Sequence, residues 1–181
     1  IDGSTQETYE KYRIGGNINT VLNGLNILTK VKKELKSKKP YIEIQFLVLG
    51  TNEHQINDFK KNIKQFDVNS IKFKSAQIYN YENGNEFIPE NEKYSRYIKK
   101  ESKYYLKKKI RNKCWRLWNS SAITWDGFVL PCCFDKDAEY IFGNINKDET
   151  ASIFNNVRFK EFSNQLLKNR KSIQICRNCT S

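Results

Sequence analysis

Five cysteines carry the metal chemistry that this sequence offers, and all of them lie between Cys114 and Cys179. The last two, Cys176 and Cys179, form a C-x-x-C pair, a spacing that lets both sulfurs converge on one metal centre. A secreted disulfide scaffold would spread its cysteines through a short chain and would follow an export signal. The clustering therefore favours a metal site in a reducing compartment, and we expect a cytoplasmic protein.

Four thiolates complete the ligand set of a 4Fe–4S or 2Fe–2S cluster, and equally that of a structural zinc ion. The candidates are Cys114, Cys176, Cys179 and one of the adjacent pair Cys132 and Cys133. Neighbouring residues on a strand point to opposite faces, so only one of that pair should reach the metal. The odd count leaves one thiol spare, and the residues alone leave iron–sulfur and zinc both open.

The segment between these cysteines predicts the elements that hold them. Asp126 and Gly127 separate two β-rich runs, which predicts a hairpin with a two-residue turn, because glycine supplies the positive φ that such a turn requires. The hairpin would bring the strand carrying Cys132 back toward the residues after Cys114. A final helix is expected to begin near Thr150 and to bury Ile153, Phe154, Val157, Phe162 and Leu166.

Before the cysteines, helical and strand patterns alternate. Ser4 and Glu7 match a capping box, and a short helix ending near Gly15 should follow. One face of the next, longer helix is expected to carry Ile18, Val21, Leu22, Leu25, Leu28, Val31 and Leu35. A strand at residues 41–49, a helix at 54–66 and a strand at 68–74 complete the order. Such alternation predicts parallel strands joined by helical crossovers, and so an α/β fold.

Composition limits the kind of protein this can be. The chain has 181 residues, of which 38% are apolar and 29% are charged, as is typical of a folded globular protein. No apolar run approaches the roughly 20 residues of a membrane span. The net charge of +12 suits an acidic partner, but the lysines are spread along the chain, and we expect no nucleic-acid role. The single histidine, His54, is expected at the surface, and nothing supports acid–base catalysis.

Residues 114–179 resemble the SPASM domain, the auxiliary-cluster domain that ends many radical S-adenosylmethionine (SAM) enzymes. The resemblance rests on Cys114-Trp115-Arg116-Leu117-Trp118, the spacing of Gly127 and Cys132, the run Phe142-Gly143-Asn144-Ile145, and the pair Cys176 and Cys179. It implies an iron–sulfur cluster on Cys114, Cys132, Cys176 and Cys179, with Cys133 as the alternative to Cys132. A full domain of this family carries further cysteines after the C-x-x-C pair, so at most one cluster is expected here.

The N-terminal residues resemble the second half of a radical SAM barrel. Residues 1–3, with Tyr9, Arg13 and Gly15-Gly16 after them, are similar to the end of a central barrel strand and its following helix. The resemblance implies that Arg13 contacts the SAM carboxylate and that Asp2 lies at the mouth of the barrel. Asn52 is similar to an asparagine often found just past the next strand in that family.

The catalytic C-x-x-x-C-x-x-C motif of radical SAM enzymes is absent from these residues. We therefore expect a fragment that begins after the motif and is inactive by itself. The resemblance implies that the parent enzyme uses a second 4Fe–4S cluster to cleave SAM to a 5′-deoxyadenosyl radical. The auxiliary 4Fe–4S cluster would support radical modification of a substrate, for which peptides and proteins are frequent in the family, and a flavodoxin or ferredoxin would donate electrons. The contrasting hypothesis is a zinc-stabilised, four-cysteine basic binding module without catalysis.

The predicted architecture is α/β with two parts. Residues 1–80 are expected to form half of a TIM-like (β/α) barrel, and residues 111–181 a small α+β cluster domain with a β-hairpin. Residues 81–110 are expected to be a linker or connecting helix. Because half a barrel leaves a strand edge unpaired and apolar faces uncovered, we expect residues 1–80 alone to be poorly soluble.

Overall fold

A computed structural model describes residues 1–179, which form two compact units. The first unit is Ile1–Lys107, and the second begins at Lys108. Both units mix helices with short strands, in agreement with the predicted α/β class. No helix in the described part of the chain combines the length and the apolar composition needed to cross a lipid bilayer.

The first unit follows the predicted order of helices and strands. Its helices are α1 (Gln6–Tyr12), α2 (Ile18–Glu34) and α3 (Ile56–Asn62), and 3₁₀ turns at Glu53–Gln55 and Ile63–Gln65 extend α3 at both ends. Its strands are β1 (Glu43–Val48), β2 (Ser70–Ser75), β3 (Tyr97–Lys100) and β4 (Lys103–Leu106). The helices and strands predicted up to residue 75 are confirmed.

Side-chain oxygens begin the first two helices. The hydroxyl of Thr5 caps α1 by accepting a hydrogen bond from the backbone N–H of Thr8 (3.4 Å). The side-chain Oδ1 of Asn17 caps α2 by accepting from the backbone N–H of Thr20 (3.2 Å). The capping box predicted Ser4 as the cap, which was wrong by one residue. Thr5 takes this place because its extended backbone (φ −123°, ψ 158°) turns its hydroxyl toward the first turn.

Strands β1 and β2 pair in parallel, and the chain crosses between them through α3. The register sets Glu43 opposite Ser70. Phe46, at the centre of β1, packs its ring on Phe59 of α3 with the ring centroids 4.5 Å apart. The predicted helical crossover between parallel strands is confirmed, although two strands do not by themselves define a barrel.

Helix α2 buries only part of its predicted apolar face. Ile18 and Leu25 are buried, whereas Val31 and Leu35 are 44% and 72% exposed. A helix of 17 residues is about 25 Å long, while two strands about 5 Å apart present a narrow surface. Within its own unit, therefore, the small sheet is too narrow to cover the whole helix.

Residues 81–110, predicted as a linker or connecting helix, contain a β-hairpin instead. Strands β3 and β4 are antiparallel, with Tyr97 opposite Leu106. Tyr97 is 2% exposed, and its hydroxyl donates to the carbonyl of Ile78 (3.0 Å) and accepts from the N–H of Ile78 (2.7 Å). Tyrosines favour strands, and burying Tyr97 beside Leu49 outweighs the weak helical periodicity of this segment.

The second unit is a three-stranded sheet with helices packed on it. Its helices are α4 (Trp115–Asn119), α5 (Thr150–Ile153) and α6 (Val157–Asn169), followed by 3₁₀ turns at Arg170–Ser172 and Gln174–Cys176. Its strands are β5 (Ala122–Ile123), β6 (Phe128–Leu130) and β7 (Gly143–Asn144), all antiparallel with β6 in the middle. The core consists of Leu117, Val129, Phe142, Ile153, Phe162, Leu166, Ile173, Ile175 and Cys176.

The predicted hairpin between β5 and β6 forms, but its loop has three residues rather than two. The backbone N–H of Thr124 donates to the carbonyl of Phe128 (2.9 Å), which leaves Trp125, Asp126 and Gly127 as the loop. The hydroxyl of Thr124 also accepts from the N–H of Phe128 (2.9 Å), and this second bond fixes the longer loop. Gly127, at φ +91°, takes the left-handed position typical of three-residue hairpins.

The final helix begins at Thr150 as predicted, but it stops after Ile153 and resumes as α6. Asn156 caps α6 by accepting from the N–H of Phe159 (3.0 Å). Val157, which we expected to be buried, is 64% exposed, because the break shifts the helical register at this point. Phe154 is partly buried against the core, so the prediction holds for the other positions of the face.

Candidate metal centre

The cysteines of the second unit lie at the ends of elements and in turns. Cys114 directly precedes α4, and Cys176 closes the last 3₁₀ turn. The N–H of Cys179 donates to the carbonyl of Cys176 (3.0 Å), so the C-x-x-C pair forms one tight turn. Turns of this kind let two side chains three residues apart approach each other, as the spacing predicts.

The adjacent pair Cys132 and Cys133 lies in a turn, not on a strand as we expected. Strand β6 ends at Leu130, since Pro131 has no N–H to donate to a strand ladder. Cys132 is half-buried and packs against the core, whereas Cys133 is exposed. The turn thus directs Cys132 toward the core and Cys133 toward solvent, and the choice of Cys132 as the ligand stays a prediction.

Four of the thiols share one neighbourhood. Cys176 and Cys179 are buried, and Cys114 and Cys132 are half-buried against the apolar core. Burial raises the pKa of Cys132, and the nearby thiols of Cys133, Cys179 and Cys114 raise that pKa further. Burial raises the pKa of Cys176 to about 11, partly opposed by a hydrogen bond from Arg170. These two thiols are therefore protonated at neutral pH, and a metal must displace their protons.

The four thiols do not yet meet at a point. Among residues 1–179, no three His, Cys, Asp or Glu side chains are close enough together to hold a metal ion as they stand. Thiolates on one zinc ion, each about 2.3 Å from it, lie roughly 4 Å apart, whereas an iron–sulfur core of several atoms holds its thiolates farther apart. The four cysteines interact with one another and contact or lie near one apolar core, so their backbone segments are close although their sulfurs do not form a metal site as they stand. All four candidate donors are thiols, a set that suits an iron–sulfur cluster and a structural zinc ion alike.

Arg170 connects two of the cysteine segments, and nothing in the sequence pattern indicated it. The residue is only 2% exposed, and its Nη1 donates to the carbonyl of Lys113, next to Cys114 (2.7 Å). Its side chain also donates to the thiol of Cys176. Asn112 fixes the backbone of Arg170 by accepting from its N–H (3.1 Å). A buried guanidinium thus ties the first cysteine segment to the last.

Asp135 shapes the turn that carries Cys132. Its carboxylate is buried and accepts from the N–H groups of Glu139 and Tyr140, both at 2.9 Å. Its own N–H donates to the carbonyl of Cys132 (3.1 Å). Asp135 was not singled out in the sequence analysis. Its role became visible only in the folded loop, where the backbone bends so that Glu139 and Tyr140 donate to its carboxylate.

Part of the second unit matches a known protein family. Residues 114–180 match the SPASM domain. The family model describes an iron–sulfur cluster-binding domain, and the matched segment contains all five cysteines. No curated protein and no solved structure matches the chain. The prediction of a SPASM domain is confirmed, and its family implies binding of an iron–sulfur cluster.

Gly127 and Asn144 hold the hairpin of the SPASM segment close to β7. Asn144 Nδ2 donates to the carbonyl of Asp126 (3.0 Å), and its Oδ1 accepts from the N–H of Asn146 (2.9 Å). A Cβ on Gly127 would lie 2.4 Å from Asn146 Nδ2 and 2.7 Å from Asn144 Oδ1. The glycine at position 127 thus has a structural basis, since a side chain there would be strained at φ +91° and would press on these two amides.

The first unit brings together three residues that the sequence singled out. Arg13 Nε donates to Asp2 Oδ2 (2.6 Å), and this bond raises the pKa of Arg13. Asn52 is fully buried, and its Nδ2 donates to the carbonyls of Asp2 (2.8 Å) and Leu47 (2.9 Å). Asp2 itself accepts from the N–H of Leu47 (3.2 Å), which places the first residues beside β1. His54 is exposed, as expected.

Proposed function

We propose that this chain is the C-terminal part of a radical SAM/SPASM enzyme and that its SPASM segment binds an auxiliary 4Fe–4S cluster. Cys114, Cys132, Cys176 and Cys179 are the proposed ligands, with Cys133 spare. One observation carries the proposal: thiols from three separate stretches of backbone gather at one apolar core, inside a segment that matches an iron–sulfur family. When bound, the cluster would supply an electron acceptor, or a direct binding site, for the substrate.

The contribution of the chain is to hold two buried and two half-buried thiols beside one apolar core. Cys176 lies among buried apolar side chains, including Ile173 and Ile175. Arg170 donates to the Cys176 thiol and stabilises its deprotonated form, which a metal requires. Asp135 holds the turn of Cys132 by accepting two backbone hydrogen bonds. These contacts leave Cys133 in solvent, away from the proposed centre.

The first unit is consistent with part of a radical SAM barrel. Parallel strands joined by a helical crossover, as in β1 and β2, occur mainly in α/β sheets covered by helices. Asp2 lies beside β1, at what would be the mouth of the barrel, and holds Arg13 through Nε. The side chain of Arg13 is 54% exposed, so its terminal N–H groups can approach a carboxylate such as that of SAM.

The remaining parts of the proposal concern partners and location. The parent enzyme would use SAM and a second 4Fe–4S cluster to modify a substrate, with peptides and proteins the first class to test. A flavodoxin or ferredoxin would donate electrons. All five cysteines are free thiols, which suits a reducing compartment such as the cytoplasm.

Anaerobic reconstitution of the purified chain tests the cluster directly. We expect a brown protein with about four iron and four sulfide per chain and with absorbance from thiolate-to-iron charge transfer. Cys114→Ala should lose most of its iron, because three protein thiolates do not complete the ligand set. Cys133→Ala is the matched control and should keep its iron, because that thiol is exposed.

Two results would contradict the proposal. A colourless protein that holds one zinc per chain after strictly anoxic reconstitution would instead establish the zinc-stabilised basic module. Equal loss of iron from the Cys114 and Cys133 variants would overturn the ligand assignment while leaving the cluster in place. The coding sequence before Ile1 tests the radical SAM part separately, since the proposal requires a C-x-x-x-C-x-x-C motif there.

A further inference from the structure

A cationic cavity lies beside the cysteines of the second unit. It has a volume of about 360 Å³ and is lined by residues 108–111, Lys113, Arg170 and Cys179. Five of these side chains are cationic, and none is acidic. The described part of its wall therefore carries charge of a single sign, next to one of the proposed cluster ligands.

The cations at the rim of the cavity have no carboxylate partner in the described part of the chain. They are the exposed side chains of Lys108, Lys109, Arg111 and Lys113. Within residues 1–179, none of the four forms an ion pair with a carboxylate. Lys136, elsewhere in the same unit, does form such a pair, with Asp137 at 2.8 Å. Four cations around one concavity, with no acidic partner among residues 1–179, repel each other, and an anion would relieve that repulsion.

Arg170 gives the cavity a fixed cationic floor. Its guanidinium is 2% exposed and is held by the carbonyl of Lys113. A fixed charge beneath a concave surface focuses the potential and attracts an oppositely charged ligand more strongly than a flat surface does. The flexible lysines and Arg111 can then close on the ligand with charge-assisted hydrogen bonds.

We propose that this cavity binds a compact group carrying two or more negative charges, held against residues 108–113 and lying beside Cys179. Phosphate esters and paired carboxylates, such as neighbouring acidic side chains of a peptide, share this chemistry. The site belongs to the chain itself, so it does not depend on the cluster being present. With the cluster bound, its occupant would lie next to the iron–sulfur centre, where a substrate or an acidic electron donor would be expected.

The lining favours a small anion over a nucleic acid. Single-stranded nucleic acids are typically held by a long basic groove in which aromatic side chains stack on the bases. No described residue of the lining is aromatic, and Ile110 is its one apolar member apart from Cys179. A concavity of about 360 Å³ also suits one charged group rather than a run of nucleotides.

Calorimetric titration of the full chain tests the proposal. The probes are pyrophosphate and a tetraglutamate peptide, each at about 0.15 M salt, where distant surface charges are screened. We expect saturable binding of at least one probe at one site per chain. The double variant Lys109→Gln/Arg111→Gln should weaken that binding about tenfold or more, since it removes two charge-assisted contacts.

The matched control removes two cations of the same unit from outside the cavity. Lys147→Gln/Lys160→Gln changes the net charge by the same amount at exposed positions and should leave the affinity within about twofold. Preference for pyrophosphate would assign the site to phosphate esters, and preference for tetraglutamate would assign it to acidic peptides.

Three results would overturn the proposal: no saturable binding of either probe, equal weakening in both double variants, or tighter binding of a single-stranded oligonucleotide than of either small probe. Iron content measured on the same samples tests the proposed cluster independently of anion binding in the cavity. Binding without iron would support the cavity and contradict the proposed function. Bound iron without anion binding would support the proposed function and contradict the anion site.

Discussion

Arg170 shows how a single buried charge can organise a site made from distant segments. Its guanidinium donates to the carbonyl of Lys113, next to Cys114, and to the thiol of Cys176. These two groups lie far apart in the sequence of the second unit. Buried arginines are costly unless their N–H groups are hydrogen-bonded. These hydrogen bonds offset the cost of burying Arg170 and connect the two ends of the SPASM segment. Its positive charge also acts directly on Cys176, one of the proposed ligands.

Arg170→Gln should destabilise the second unit and lower the reduction potential of the bound cluster. The variant loses a charged hydrogen bond to the carbonyl of Lys113, which costs about 1.5–3 kcal/mol in the free energy of unfolding. Losing a cation beside the thiolate of Cys176 makes the added electron less stable. Chemical denaturation and redox titration of the reconstituted protein measure the two effects.

Arg177 is the natural control, since it is exposed between the two cysteines of the C-x-x-C pair. Arg177→Gln makes the same change of charge close to the same ligands and should alter stability by less than about 0.5 kcal/mol. Arg170→Lys keeps the charge without the fork of the guanidinium and should recover the potential better than the stability. Equal effects of the glutamine variants would show that Arg170 has no special position.

At the scale of elements, α6 presents two neighbouring leucines in opposite environments. Leu166 is 1% exposed and lies in the core, whereas Leu167 is 50% exposed. Leu166→Ala should lower the free energy of unfolding by about 2–5 kcal/mol, because it removes buried methyl groups and leaves a cavity. Leu167→Ala should change it by less than about 1 kcal/mol. Thermal and denaturant unfolding of both variants would measure the difference, and equal changes in the free energy of unfolding would contradict the buried position of Leu166 and the exposed position of Leu167.

The hairpin of the SPASM segment depends on a glycine that has both a conformational and a steric reason. Gly127→Ala should destabilise the second unit by more than about 1 kcal/mol, since an alanine at φ +91° is strained and its Cβ would meet the amides of Asn144 and Asn146. The comparison is Gly24→Ala in α2, where nothing lies within 4 Å of the new Cβ. That change should stabilise the first unit by about 0.5–1 kcal/mol. If Gly24→Ala also destabilised its unit, the steric and conformational explanation for the effect at Gly127 would not be supported.

For the whole molecule, the boundary of the first unit predicts how fragments behave. Tyr97 and Ile88 pack on Leu49 and close a second small core. A fragment of residues 1–80 lacks both and should be less soluble than a fragment of residues 1–107, in which this core is intact. Soluble yield and sedimentation of the two fragments test this. A monomeric, cooperatively folding 1–80 fragment would contradict it, and would also count against the half-barrel hypothesis.

The sequence by itself was enough to predict the SPASM segment and most of the local structure. The confinement of five cysteines to the last third predicted a thiolate site in a SPASM segment. Apolar periodicity predicted α2, β1, α3 and β2, because burial of one face repeats at 3.6 or 2 residues whatever the surrounding fold. These features are local, so the order of residues is enough to find them.

Only the tertiary structure decided features that depend on residues far apart in the chain. It turned Cys132 toward the core and Cys133 to solvent, because Pro131 ends β6. It formed a hairpin at β3 and β4, since burying Tyr97 against a distant segment outweighs local propensity. It also placed Arg170 between the cysteine segments and gathered cations into one cavity. Such choices follow from which surfaces meet on folding, and a pattern along the chain does not contain that information.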